Sequence, residues 1–457
     1  MKYTLYYILF LSTMLCSSCS NWLDVKPTKY TEEGEAFSTV TGFQNSLTGV
    51  YIQMKGKTLY GQNLSMGMME YLAQHWIANS SEAEGKLSNF EYGDANVETM
   101  INGVYAGLYN TILNINNLLR FVDNGVLKGK SYSMIKGEAL ALRAFCHLDL
   151  LRLYGPVPGK QTDGKMLSYA RVVSKEPMAV NTWKEYTEFL LKDLNDAEEL
   201  LKEVDLGEPM KDGYALYRQN RMNYWAVKAL KARFYLWIQD KAQAKKYALE
   251  VINGNWKSLC SPEDITANKD YIASKEHLFS LHDFDLETNT EQFIYRAGGV
   301  YMPEEYIRRK LFASDITDVR INTLWKQFTE ASSTRFKLMK YKQGSEVAKS
   351  SLEQIPLLRL YEMYLIAIEC SDNAAEYKPW VKILKKARNM SIEPDVETLE
   401  AKDAYVLLEY NKEFYGEGQL FYQYKRRGEE TILWADKAGT NSVYVLPLPK
   451  SEIKYNE

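Results

Sequence analysis

Apolar residues recur along this chain at mixed three- and four-residue spacing, the signature of helices that bury one face. The pattern predicts helices around residues 36–55, 96–123, 133–154, 182–203, 220–238, 241–253, 356–371, 376–390 and 399–416. Strand-like sequence is confined to short pieces at 277–282 and 292–301 and to the terminal SVYVLPLP, residues 442–449. The stretches 56–95, 155–180, 254–275 and 283–350 are long, irregular and rich in Gly, Ser, Asn and aromatic residues. Long loops on a rigid helical frame are where binding residues gather. The expectation is a mainly α fold with long irregular loops and a few short strands.

One segment suggests how the helices pack. NYWAVKALKARFYLWIQDKAQAKKYALEVIN, residues 223–253, reads as two helices joined at Gln239–Asp240. Small Ala226, Ala229 and Ala232 interleave with Trp225, Leu230 and Tyr235, and Ala244 and Ala248 punctuate the second helix. Small residues at such intervals let paired helices approach closely, as in a tetratricopeptide unit. Residues 137–154 make a similarly buried helix, ended by Gly155-Pro156. The period is degenerate elsewhere, and no low-complexity linker separates independent domains, so the expectation is one closely packed body.

The N-terminus predicts secretion. Lys2 supplies a positive start, Tyr6–Leu15 an apolar run, and Ser17 and Ser18 small residues before Cys19. The run is too short to cross a bilayer, which takes roughly 20 residues. A cysteine directly after small residues is the position that receives a diacylglycerol in bacterial lipoproteins, so residues 1–18 read as a signal peptide and Cys19 as the lipidation site. The alternative is a non-lipidated secreted protein with a free early thiol.

Composition narrows the function. A net charge of −3 argues against a nucleic-acid binder, which normally carries a basic patch. Cys146, Cys260 and Cys370 are too widely spaced for a zinc pattern or a disulfide framework. The chain holds 34 Tyr and 9 Trp among its 457 residues, rings that suit both cores and recognition surfaces. Glu362 and Glu369, and Glu413 and Glu417, invite a reading as paired acid/base carboxylates; salt bridges to Arg359, Lys412 or Arg426 are the simpler account. Asp149 and Arg152 are spaced for a pair on one helix face. His277, His282, Asp283 and Asp285 are metal-capable residue types, but strand alternation would divide them between faces. No metal site, phosphate loop or nucleophile elbow is expected, and no cofactor.

Four stretches together resemble one family: CSNWLDVKPT at 19–28, KGEALALRAFCHLDLLRLYGPVP at 136–158, IPLLRLYEMYLIAIEC at 355–370, and YNKEFYGEGQLFYQYKRRG at 410–428 with VYVLPLPKSEIKYNE at 443–457. In this order they are similar to the SusD/RagB-like outer-membrane lipoproteins of Bacteroidota. The resemblance implies a tetratricopeptide-like scaffold, with an N-terminal region over about 19–215 and a C-terminal region over about 216–457. It implies a binding protein and not an enzyme: a lipid-anchored lid, facing the cell surface, that captures oligosaccharides and passes them to a SusC-like TonB-dependent barrel. Alternatives are the same role for peptides or another nutrient, or a helical-repeat enzyme acting on glycans. Ligand-contacting residues do not carry over from a fixed motif. The expected candidates are Trp76, Asn79 and Tyr92 in the 71–94 loop, and Phe284, Tyr295, Tyr301 and Tyr306 in the 284–306 loop. Trp325 fits either a core or a ligand-facing position.

Overall fold

The computed structural model describes residues 33–452 apart from 297, 331, 332, 434 and 436. Cys19 and the signal segment lie outside the described residues. Ten principal helices carry the fold: α1 (Val40–Met54), α2 (Ala95–Phe121), α3 (Gly129–Tyr154), α4 (Trp183–Leu206), α5 (Tyr224–Trp237), α6 (Lys241–Asn253), α7 (Leu360–Glu369), α8 (Ala374–Ala387), α9 (Leu399–Glu413) and α10 (Leu420–Arg427). The fold is mainly α, as the periodicity predicts.

Local chemistry sets where these helices begin. Thr39, Asp94, Asn223, Asp240 and Thr398 each accept a backbone N–H of the first turn, satisfying donors that the helix itself leaves unpaired. Thr182 and Glu185 close a reciprocal capping box at the start of α4. The 223–253 pair forms as its sequence predicts, with Gln239 left-handed at the turn and Ala226, Ala229, Ala232, Ala244 and Ala248 all fully buried. Gly254 follows, and a Cβ there would lie 2.2 Å from the Trp225 indole.

Neighbouring helices pack in succession, α2 on α3, α3 on α4, α4 on α5 and α5 on α6, with α6 then meeting α7. Helix α3 is buried on almost every face from Ser133 to Tyr154. Its polar residues therefore need partners. Arg143 forms a two-pronged bond to Asp193 at 2.7 Å on each arm, Asp149 accepts from Tyr60 Oη at 2.7 Å, and Glu138 takes Arg221 and the Tyr51 hydroxyl.

Strands are few: β1 (Lys165–Leu167) with β2 (Asn181–Thr182), β3 (His277–His282) with β7 (Gln354–Arg359), and β4 (Met302–Pro303) beside the hairpin of β5 (Trp325–Glu330) and β6 (Ser333–Leu338). The 277–282 strand is found where alternation predicts it. Three expectations are corrected. Residues 356–371 do not begin helical, because 354–359 pair with β3, Ser280 opposite Pro356 and Leu281 opposite Ile355. Within 292–301 the chain closes a wide π-type turn over Glu291–Tyr295 before Gly298 turns left-handed. The terminal SVYVLPLP makes no strand; Val443 and Tyr444 both donate to Thr440 O in a short helical turn, and Pro447 and Pro449 have no N–H for a ladder.

Candidate functional site

The paired carboxylates resolve into buried ion pairs. Glu362 is gripped by Arg233 at 2.8 and 2.6 Å, and Glu369 by Arg426 and Arg427 at 2.8 Å. Glu413 accepts from Arg359 and Arg388 at 2.8 and 2.7 Å, and Glu417 from Arg359 and Lys340 at 2.9 and 2.7 Å. Burial opposes ionisation of Glu413, yet Arg388 and Arg359 hold it well below the usual carboxylate range. All four carboxylates are at least nine-tenths buried, out of reach of a substrate. His277 is buried against Ile272 O, whereas His282 is half-buried beside Glu353, so the histidines part as alternation predicts.

The aromatic candidates scatter. Trp76 is corrected from an exposed ligand ring to a core residue: it is 2% exposed, and its indole N–H donates to Met66 O at 2.7 Å. The cause is long-range. Glu70 accepts the backbone N–H groups of Gly416 and Gly418 at 2.9 and 2.7 Å, and His75 stacks on Tyr415 with ring centres 3.7 Å apart. This clamp draws the base of the 71–94 loop against the C-terminal region, and Trp76 lies edge-on to Tyr415 within it. Tyr92 is half-buried, its hydroxyl bound to Val443 O at 2.6 Å, so it tethers and does not project. Asn79 is exposed, and its carboxamide accepts from Ser81 N–H at 3.1 Å.

In the second loop, Phe284 is 74% exposed, with Lys55 Nζ 5.6 Å from its ring centre and His282 beside it. Tyr295 is half-buried with its hydroxyl covered. Tyr301 is sandwiched by Arg335, 3.9 Å over its ring, and the Phe328 edge, while Tyr306 lines a separate cleft with Leu408 and Leu433. These four therefore do not form one platform. Trp325 is core, edge-on to Tyr415.

What the structure does bring together is the edge between the two loops. Lys55 ion-pairs with Asp283 at 3.1 Å, and Lys57 donates to Gln292 at 3.2 Å, so the end of α1 runs along 283–292. Beside it opens a depression of about 580 Å³ lined by Lys57, Gln62, Asn289, Glu291, Gln292, Phe293 and Arg296, with Glu291 paired to Lys342 at 2.5 Å. Tyr71, at the base of the first loop, has its hydroxyl pushed up chiefly by burial, with Glu84 adding to the rise and Arg296 opposing it. Amides, a ring and a guanidinium in an open depression can hydrogen-bond hydroxyls while an apolar face packs on Phe293. The sequence reading weighted the aromatics of the 284–306 loop over its polar run ETNTEQFIYR, residues 287–296, which supplies most of this lining.

Solved structures share this architecture. A SusD superfamily protein from Bacteroides thetaiotaomicron aligns with a TM-score of 0.74 at 22% identity, covering 92% of this chain and 98% of its own. A SusD-like carbohydrate binding protein from Bacteroides vulgatus aligns at 0.73 and 17%, covering 92% and 97%. Surface glycan-binding protein A from Bacteroides thetaiotaomicron aligns at 0.69 and 18%, covering 92% and 98%. A SusD-like protein of Formosa agariphila is 23% identical over 298 residues, 63% of this chain and 53% of that relative, so the match spans about half of the relative's length. Family models cover both parts of the sequence: a SusD-like model described as starch-binding associating with outer membrane matches residues 21–236, and one described as the SusD family matches residues 217–457. With that match running through more than half of its length, the chain belongs to the SusD family.

Proposed function

We propose that this protein is a lipid-anchored capture protein of the outer membrane that binds neutral or weakly charged oligosaccharides on the edge formed by residues 55–62, 71–84 and 284–296. The observation that carries the reading is the open depression at that edge, with the amides of Gln62, Asn289 and Gln292 beside Phe293 and Arg296. The names of relatives described as carbohydrate- and glycan-binding support the same ligand class. Residues 1–18 are removed and Cys19 carries the lipid, leaving 19–457 as the surface-facing body. A SusC-like TonB-dependent barrel receives the captured oligomer. Among the described residues no helix is long and apolar enough to cross a membrane, which fits attachment through the N-terminal lipid. The buried ion-paired state of the four glutamates supports binding without catalysis.

The test is calorimetric titration of residues 20–457 with panels of oligosaccharides and of peptides, beside F284A and R296A. Both side chains are exposed, so neither change shifts stability by more than about 0.5 kcal/mol. Loss of roughly ten- to hundredfold in sugar affinity in R296A, whose charged hydrogen bonds are worth about 1.5–3 kcal/mol, is the expected result. Peptide binding alone would replace the glycan reading with peptide capture, and sugar binding indifferent to both variants would move the site. Cys19→Ala releasing the protein from the membrane fraction is the expected outcome for the anchor.

A further inference from the structure

A second cleft among the described residues lies on other elements than the proposed capture edge. It encloses about 690 Å³ between one face of α2, the loop 168–178 and residues 449–452. Along α2 the residues facing it are Asn102, Tyr105, Ala106, Tyr109, Asn110 and Leu113, a stripe at three- and four-residue spacing. Such a stripe on a helix of this length would ordinarily be either core or plain solvent-facing surface. Here it alternates carboxamides with rings, and the Asn102 and Asn110 amides make no hydrogen bond among the described residues.

The walls are fastened independently of anything in the cleft. Tyr109 Oη donates to Ser168 O at 2.8 Å and Asn116 Nδ2 to Ala170 O at 3.0 Å, fixing the loop to α2. Arg143 Nη1, from the buried helix α3, donates to Asn116 Oδ1 at 2.8 Å. On the other side Lys450 ion-pairs with Glu98 at 2.8 Å, and Leu446 N–H donates to Leu153 O at 3.1 Å. A cleft with walls tied this way is formed before a ligand arrives, which lowers the ordering cost of binding.

We infer that this cleft is a second carbohydrate-binding site, taking one or two residues of a neutral sugar chain. Size and chemistry both select that class. The volume falls within the range of small-ligand sites, and the lining combines amides with apolar surface, Leu113 at 43% and Val172 at 61% exposure together with Pro177 and Met178. A pyranose presents the matching arrangement, an apolar C–H face with hydroxyls around its rim. Lys175 at the rim is outnumbered by Glu176 and Glu452, so the cleft disfavours an anionic ligand. A second site on the same body gives a captured chain two points of attachment, raising retention without stronger contacts at either.

The test uses residues 20–457 carrying F284A/R296A, so that the capture edge is disabled, with ¹³C-methyl labels on leucine, valine and methionine. Maltotetraose, cellotetraose, xylotetraose and mannotetraose are titrated to millimolar concentration. At least one is expected to shift the Leu113, Val172 and Met178 methyls saturably. Ala106→Trp, which fills the cleft from an exposed position, should abolish the shifts. N102A/N110A should weaken binding about ten-fold through the loss of two hydrogen bonds. Silence of these methyls towards all four sugars overturns the inference, as do shifts that survive Ala106→Trp or a response to a tetrapeptide in place of the sugars. The capture edge is scored separately by R296A in the otherwise unaltered chain, so either site can fail alone.

Discussion

Arg233 on α5 and Glu362 on α7 offer a sharp test of how this scaffold uses buried charge. The guanidinium meets the carboxylate through Nε at 2.8 Å and Nη2 at 2.6 Å, and Nη2 also donates to Leu357 O at 2.9 Å. Their side chains are 4% and 1% exposed, so neither charge is screened by water. Removing one partner strands the other in a low-dielectric interior, which costs about 3–5 kcal/mol. Either R233M or E362L alone should therefore lower the folded-to-unfolded ratio by roughly a hundredfold or more. The double substitution keeps similar volume and leaves no charge, and an apolar replacement of a buried pair is often neutral or stabilising. It should return stability to within about 1 kcal/mol of the unaltered chain, giving a coupling energy far above the about 0.5 kcal/mol expected of independent sites. The assay is guanidinium unfolding of residues 20–457 followed by far-ultraviolet circular dichroism and by tryptophan fluorescence, with coincident transitions as the condition for converting midpoints to free energies. Singles that cost less than about 1 kcal/mol, or a double as damaged as the sum of the singles, would refute the reasoning.

Two further outcomes concern stability. Burial pushes the His147 imidazole down to about 3, against an unfolded value of about 6.5. The unfolded chain thus binds this proton first, and stability is lost as pH falls from about 6.5 towards about 3, by up to about 1.4 kcal/mol per pH unit. His277, lowered to about 4, adds a limb of the same sign. His147→Gln should flatten the dependence between about pH 6 and pH 4.5 by close to one proton in guanidinium midpoints, and an unchanged slope would contradict the assignment. Gly418 has φ +68°, and a Cβ there would lie 2.3 Å from Leu64 O. Gly418→Ala should cost roughly 2–4 kcal/mol, the sum of a left-handed penalty and a backbone clash, read in the same unfolding assay; a neutral effect would show that the turn adjusts freely.

Which features could be read from the sequence follows from the range of the interactions that make them. The 223–253 helix pair was legible because the spacing of its alanines and its turn are set within a few residues. The end of α3 at Gly155 was legible for the same reason. The 325–338 hairpin was not: WKQFTEASSTRFKL mixes charged and aromatic positions on both faces, and its register, Gln327 opposite Phe336 and Phe328 opposite Arg335, becomes visible only once the strands pair. Trp76 misled for a related reason. Its neighbours Gln74, His75, Asn79 and Ser80 are polar, as in an exposed loop. Two of them are used inward, Gln74 on Ser88 O at 2.8 Å and His75 on Asn411 at 2.8 Å. Polarity in a sequence does not distinguish a side chain that meets water from one that meets a carbonyl.

The same distinction explains where binding residues can lie on this scaffold. The long loops are pinned at their bases by buried polar contacts: Glu70 on Gly416 and Gly418 holds the first, Asn116 on Ala170 the second, and Asp283 receives Lys55 at the third. Each contact spends a side chain whose type would otherwise suggest function, so the strongest chemical signals in the sequence, the glutamates, histidines and tryptophans, are the ones consumed by structure. The groups left at the surface are ordinary: Gln62, Asn289, Gln292 and Arg296 at one edge, Asn102 and Asn110 at another. Plural contacts of this kind fit the proposed capture role, because neutral hydrogen bonds worth about 0.5–1.5 kcal/mol each, with Arg296 as the one charged donor among these groups, can be exchanged singly. Of the aromatic candidates, Trp76 is spent in the core and Tyr92 on a tether to Val443 O, whereas Phe284 stays exposed.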